Sequence, residues 1–313
     1  MGVRVLITQG DPSGIGPEVI VKAVRNLNKK ERDNILLVGD RDIFIKAGWN
    51  SNLCSIIPTE VFGFRLIKST SNAFSGKLSF KSLDVALKIL ESKRADALVT
   101  APISKKSWDM AGIKYPGHTE YFRKKFGKDL LMCFNKDKMN FALLTEHIPL
   151  KDVSRYVTQH NIKLKITLLK EMISFFNFSK NPIILVAGLN PHCGDGGVIG
   201  MEEKKYIIPA IRAMKKSGVK VFGPYNPDDI FEKYFKMKAN GAIFMYHEQL
   251  IPLLKVISKK NDIVHITWGL DFIRTSPAHG TAFDIAWKNI ADETSMYKAI
   301  KTAMMLIRRK NSF

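Results

Sequence analysis

Cysteine is scarce in these 313 residues: Cys54, Cys133 and Cys193 are an odd number, with no CxxC spacing among them. That excludes a disulfide-stapled scaffold and points to a reducing cytoplasm. No apolar run approaches the ~20 residues that cross a bilayer, so no membrane partner is expected. The opening stretch "MGVRVLITQGDPSG" lacks the shape of a signal peptide, because its apolar run is short and leads into a glycine loop. Internal repeats and low-complexity linkers are missing too, which leaves domain boundaries poorly marked. Acidic residues are few, 29 Asp and Glu against 49 Lys and Arg, a formal charge of +20. The lysines are spread through "LNKKERDN", "YFRKKFGKD" and "RAMKKSGVK" rather than gathered on one segment. The surplus therefore reads as a lysine-rich surface and not as a nucleic-acid interface, although its field favours small anionic ligands.

What the chain does have is alternation. Short apolar runs read as strands at 3–8, 34–39, 95–102, 182–190, 241–247 and 262–269. Amphipathic patterns read as helices at 16–27, 79–94, 201–218 and 295–310. Apolar strands alternating with helices predict an α/β protein with a largely parallel sheet, whose ligands gather beyond the carboxyl ends of the strands.

The chemistry-bearing motifs lie at those ends. "TQGDPSGIGPEV" follows the first strand and opens a helix, yet Gly10, Gly14 and Gly16 do not form the G-x-G-x-x-G dinucleotide fingerprint. "TAPISKK" reads as a solvated turn. "YPGHTEYF" puts His118 and Thr119 at a predicted helix start, where free N–H groups suit an anion or a threonine cap. His147, His192 and His247 each stand at or just past the end of an apolar run, "FALLTEH", "ILVAGLNPH" and "AIFMYH". If those strands run the same way, three imidazoles converge, a donor set for a catalytic divalent ion. Lys255 follows His247 by eight residues, about two helical turns. "GLDFIRTSPAHGTAFDIA" adds Arg274, which can clamp a phosphate or carboxylate in two-pronged fashion.

As an ordered set, "GDPSGIGPEV", "TAPISK", "YPGHTEYF", "TEHIPL", "LNPHCGDGGVIGMEE", "GPYNPDDIF", "MYHEQLIPLLK" and "GLDFIRTSPAHGTAFDIA" resemble the 4-hydroxythreonine-4-phosphate dehydrogenase family of vitamin B6 biosynthesis. The likeness runs from Gly10 to about Ile285. It implies two α/β/α domains of the isocitrate and isopropylmalate dehydrogenase type, with the active site in the cleft between them. The expected division is 1–105 with 265–313 as the first domain and 106–264 as the second. The resemblance also implies a homodimer whose sites borrow residues across subunits, His247 among them. Its metal ligands fall on His147, His192 and His247, with Zn²⁺ expected and Co²⁺ or Mg²⁺ as alternatives. Its substrate contacts fall on His118, Thr119, Lys255 and Arg274. Lys255 is also the expected acid/base. His265 stands where members of the biosynthetic type have Asn, so it enters the substrate-binding set as a departure.

The implied reaction is oxidation of 4-phosphooxy-L-threonine at C3 with NAD or NADP, followed by metal-assisted decarboxylation to 3-amino-2-oxopropyl phosphate. A dehydrogenase of the same fold acting on D-threonate or D-erythronate 4-phosphate is the alternative, because of His265. A zinc hydrolase built on the three histidines is a further one. The residues that grip the nicotinamide cofactor are not assigned. Within "LNPHCGDGGVIGMEE", His192 is the expected ligand, Cys193 fills space, "GDGGVIG" reads as a flexible connection, and Glu202 and Glu203 suit the first turn of the next helix.

Overall fold

Four- and five-residue apolar runs become fully buried strands, because helices cover them and leave no solvent face to alternate with. The computed structural model describes residues 4–177, 181–258 and 262–310. Val3, where the first strand is expected to begin, lies outside them. In chain order the strands among the described residues are β1 (Val5–Thr8), β2 (Ile35–Gly39), β3 (Ser55–Pro58), β4 (Ala97–Thr100), β5 (Leu131–Lys136), β6 (Met139–Leu143), β7 (Ile184–Ala187), β8 (Val221–Tyr225), β9 (Gly241–Phe244), β10 (Val264–Trp268) and β11 (Ile273–Pro277).

The chain divides into two compact units, Met1–Asp129 with Lys260–Phe313, and Leu130–Lys259. In the first the strand order is β3-β2-β1-β4-β11-β10. Its neighbours pair parallel except β10 and β11, which run antiparallel. The reason is the connection: "GLDF" between them is far too short for a crossover, so the chain makes a hairpin. In the second unit the order is β5-β6-β9-β7-β8. Here β5 and β6 form a hairpin turned at Asp137, whose φ is 53°, and β6, β9, β7 and β8 pair parallel.

Helices start where side chains cap them. The helix Ala73–Glu91 begins six residues before the expected 79, because the Asn72 side chain accepts from the Ser75 N–H and starts the turn there. The helix Gly16–Arg25 carries proline in its first turn and buries Val19, Ile20, Val21, Ala23 and Val24. Among the described residues no helix is long and apolar enough to cross a membrane.

The loop that follows β1 is stitched to the loop that follows β4: the Asp11 N–H donates to the Pro102 carbonyl at 2.9 Å. Gly10 makes that approach, with φ 69° and space in which a Cβ would come within 2.3 Å of the Pro102 oxygen. Both conditions demand glycine. Gly10→Ala should therefore cost about 1–3 kcal/mol of stability, read as a lowered denaturant midpoint with an unchanged slope. A midpoint equal to that of the parent protein would refute the account.

Candidate active site

In the first unit the register of the β10–β11 hairpin builds a polar cluster. Thr267 lies opposite Arg274, and His265 opposite Ser276. Side chains alternate across a strand, and directly opposed residues share a face, so all four project to one side. Arg274 is 3% exposed. Its Nη1 donates to Thr267 Oγ1 at 2.8 Å and to His265 Nδ1 at 3.0 Å, and its Nη2 donates to Thr100 Oγ1 at 2.7 Å. The guanidinium carbon lies 5.7 Å from the Phe122 ring centre. None of these acceptors is a carboxylate, and the buried Nε–H has no hydrogen-bond partner. Burial pushes the guanidinium down to about 9, against the pull of the Glu120 carboxylate.

His118 opens the helix His118–Phe126 behind Gly117. Its ring lies edge-on to Trp108, at 5.4 Å, and stacks on Phe122 at 6.1 Å. Burial, and then the charge of Arg274, hold its pKa well below the ordinary imidazole range. Thr119 beside it is 3% exposed. The structure thus brings His118, Arg274 and His265 together, with Phe122 packed against His118 and Arg274.

In the second unit β6, β9 and β7 do run the same way, so His147, His192 and His247 all follow carboxyl ends of parallel neighbours. The rings of His147 and His247 are 5.7 Å apart between centres. Two imidazoles held about 2.1 Å from one ion through nitrogen have their centres roughly 5 Å apart, so this pair fits a shared ion. His247 Nδ1 also contacts the Glu248 carboxylate at 2.9 Å, the arrangement that leaves Nε2 for a metal. His192 does not complete a three-donor group with them, and no such group of His, Cys, Asp or Glu occurs among the described residues. Lys255 is exposed, near the end of the helix His247–Ile257.

The loop carrying His192, expected as a flexible connection, takes a defined path in the structure. His192, Cys193, Gly194, Asp195 and Gly196 have φ of 51°, 53°, 79°, 41° and 64°, a run of left-handed backbone. Three of those residues carry a Cβ that resists it, at about 1–2 kcal/mol each. Glu203, 2% exposed, holds the segment in place. Its Oε1 accepts from the Leu189 and Asn190 N–H groups, both at 2.8 Å, and its Oε2 accepts from Asn190 Nδ2 at 2.9 Å. Glu202 accepts from the same Asn190 amide and from the Ser154 hydroxyl. Gly194 fits beneath Glu203, where a Cβ would come within 2.8 Å of Oε2. Glu203 thus turns back onto the loop instead of serving the dipole of the π-helical turn it opens, Glu203–Ile207.

Sequence reasoning missed Thr267, Ser276, Phe122 and the part played by Glu203. Thr267 had a usable signal, being two residues from His265 on a predicted strand and hence on its face. Thr100, read as part of a solvated turn, is 1% exposed and holds Arg274. Ser104 in that motif accepts from the Ser107 N–H and caps the helix Lys105–Met110.

Comparison with known proteins identifies the family. The family model described as "Pyridoxal phosphate biosynthetic protein PdxA" matches residues 18–303. The 4-hydroxythreonine-4-phosphate dehydrogenase of Sulfurihydrogenibium sp. (strain YO3AOP1) is 40% identical over 325 residues, spanning 98% of this chain and 99% of that one. Its counterpart from Aquifex aeolicus (strain VF5) is 38% identical over 319 residues, 96% of this chain and 97% of its own. Among solved structures, the 4-hydroxythreonine-4-phosphate dehydrogenase of Klebsiella pneumoniae superposes with a TM-score of 0.82 at 30% identity, covering 97% of this chain and 99% of that one. A β-decarboxylating dehydrogenase of Thermococcus kodakarensis is alike in fold alone, with a TM-score of 0.51 at 16% identity over 99% of this chain and 84% of its own.

Two measurements test this geometry. Because the folded chain resists protonating His118 and the unfolded chain does not, the unfolded state binds more protons below the ordinary imidazole value of 6.5. Stability should therefore fall as pH drops from about 6.5 to 5, and His118→Gln should flatten that limb of the Tm-against-pH curve. An unchanged limb would contradict a neutral His118. For the loop, Glu203→Ala should speed hydrogen exchange at the Leu189 and Asn190 amides by about tenfold or more. Unaltered exchange there would remove Glu203 from its holding role.

Proposed function

Because the chain belongs to the pyridoxal phosphate biosynthetic protein PdxA family, we propose that it oxidises 4-phosphooxy-L-threonine at C3 with NAD and then releases CO₂, giving 3-amino-2-oxopropyl phosphate. It is an oxidoreductase of that family, a dehydrogenase of pyridoxal phosphate biosynthesis. The observation that carries the finer reading is Arg274: a buried cation whose hydrogen bonds go to neutral acceptors is a grip for an anionic end of the substrate.

In this reading Arg274 holds phosphate or carboxylate oxygen, while His118, kept neutral, donates or accepts without adding charge. Thr119 offers a hydroxyl and an N–H at the start of its helix. Fixing both ends of the substrate sets the C3 carbon for hydride loss to the nicotinamide. The hydroxyl proton passes to a base, for which Lys255 Nζ is the candidate, the β-keto acid forms, and loss of CO₂ leaves an electron pair at C2 that takes up a proton. Lys255 Nζ is the candidate to deliver that proton. His147 and His247, with His192, would hold a divalent ion, Zn²⁺ first; what it supplies when bound is charge that lowers the hydroxyl's pKa and steadies the enolate oxygen.

A homodimer belongs to the same proposal. Leu150, Tyr156, Val198, Ile199 and Val256 are 68%, 49%, 85%, 47% and 75% exposed, and all lie in the segments that follow the three histidines. Apolar side chains concentrated there suit a face covered by a second copy, which can also complete the donor set. The three cysteines are free thiols, which supports a place in the cytoplasm. NADP remains the alternative cofactor.

His265 favours one second reading, a dehydrogenase of the same fold for D-threonate or D-erythronate 4-phosphate. NADH formation on 4-phosphooxy-L-threonine and on these two acids, with and without chelator, separates the cases. The expected result is CO₂ equal to NADH on the first substrate, activity lost to chelator and restored by Zn²⁺ or Co²⁺. Faster turnover of a sugar-acid phosphate would transfer the assignment, and reduction of NAD with none of them would end it.

A further inference from the structure

The Arg274 cluster fixes the protonation of a histidine. A guanidinium has five N–H donors and no acceptor. Arg274 Nη1 lies 3.0 Å from His265 Nδ1, so that nitrogen must carry a bare lone pair. The Ser276 hydroxyl, 3.1 Å from the same nitrogen, then donates as well. His265 is therefore the neutral imidazole with its proton on Nε2. Protonating Nδ1 would turn its N–H on an N–H of Arg274 and set two cations side by side, in a site where both residues are at least nine-tenths buried, at 9% and 3% exposure.

We propose that His265 is a positioning residue for the oxidation: as a bare-Nδ1 acceptor it aims Arg274 at an anionic oxygen of the phosphorylated substrate. The proposal rests on the reading above that Arg274 grips that oxygen. Three acceptors hold the guanidinium from two strands: Thr267 and His265 on β10 take Nη1, and Thr100 at the end of β4 takes Nη2. The direction of the side chain is set by these three contacts together. Thr267 alone fixes a point on Nη1; His265 fixes the turn of the plane about it. An Asn at position 265 keeps an acceptor oxygen and can serve; a hydrocarbon cannot.

Steady-state kinetics on the full-length enzyme with 4-phosphooxy-L-threonine and NAD tests this, using Arg274→Met, His265→Leu and His265→Asn. All three are compared with the parent protein. The expected result for His265→Leu is a KM for the phosphorylated substrate raised about tenfold or more, with the KM for NAD unmoved. His265→Asn should recover most of that loss. A KM unaltered in His265→Leu, or a His265→Asn as impaired as His265→Leu, overturns the positioning role. If Arg274→Met leaves the substrate KM unaltered, it is the grip by Arg274 that fails, and the two failures are told apart. Should His265→Leu not fold, ¹⁵N-histidine NMR of the parent protein decides: an unprotonated Nδ1 at His265 is expected, and a protonated one overturns the proposal.

Discussion

A positive charge buried among neutral oxygens and one bare nitrogen is the constraint on which the candidate site depends. Arg274 projects from β11, near the ring of Phe122, with Thr100, Thr267 and His265 as its acceptors. Burial drives the guanidinium toward losing its proton and pushes it down to about 9, while the Glu120 carboxylate opposes that fall. The same charge reaches His118 and adds to the burial that keeps its imidazole neutral. One cation thus touches two histidines: it meets His265 Nδ1 directly, and through space it adds to the burial that lowers the His118 pKa. An anion entering this cluster meets donors whose charge states are already fixed, and it offsets the desolvation that Arg274 suffers without it.

The second unit solves a different problem, that of placing imidazoles at the ends of short strands. Parallel pairing of β6, β9 and β7 sends three chain segments off the same edge, each with a histidine within a few residues. His147 and His247 meet at that edge, whereas His192 rides on left-handed backbone. Such backbone persists only where its surroundings over-determine it. Here the over-determination is a buried glutamate spending both its oxygens on the segment that leads into the turn. Backbone strain next to a candidate ligand, together with a buried carboxylate dedicated to maintaining it, ties Glu203 to the placing of His192 rather than to the stability of its own helix.

How much of this was legible in the sequence depends on the range of the interaction. The strands expected at 34–39 and 241–247 stand, shortened, at Ile35–Gly39 and Gly241–Phe244, and the helix expected at 295–310 spans Thr294–Lys310, because local apolar pattern specifies them. Placing His147, His192 and His247 past strand ends was equally local. Parallel direction was an assumption in the sequence, and hairpins at Asp137 and at "GLDF" show where it stops holding. Three things were out of reach. The pairing of Thr267 with Arg274 is a matter of register, fixed by the turn between two strands and not by either strand. The tautomer of His265 follows only from the donor placed against it. The left-handed loop looked flexible because glycines permit many conformations, and it took Glu203, seven residues past the last of the run, to select one.

Net charge and site charge act over different ranges in this protein. The surplus behind the formal +20 is spread over many segments, where salt screens it within about 8 Å at physiological ionic strength. It raises the encounter rate of any phosphorylated metabolite and distinguishes poorly among them. Arg274 is one charge among 49, yet it is withdrawn from water, so its attraction is screened little and is directional. Selectivity must then come from what stands around it: a hydroxyl on each of two strands, an imidazole with one lone pair, and an aromatic face. Under the proposed function those groups decide the angle at which an anion is met, and that angle, not the charge, puts a particular carbon in line for hydride transfer.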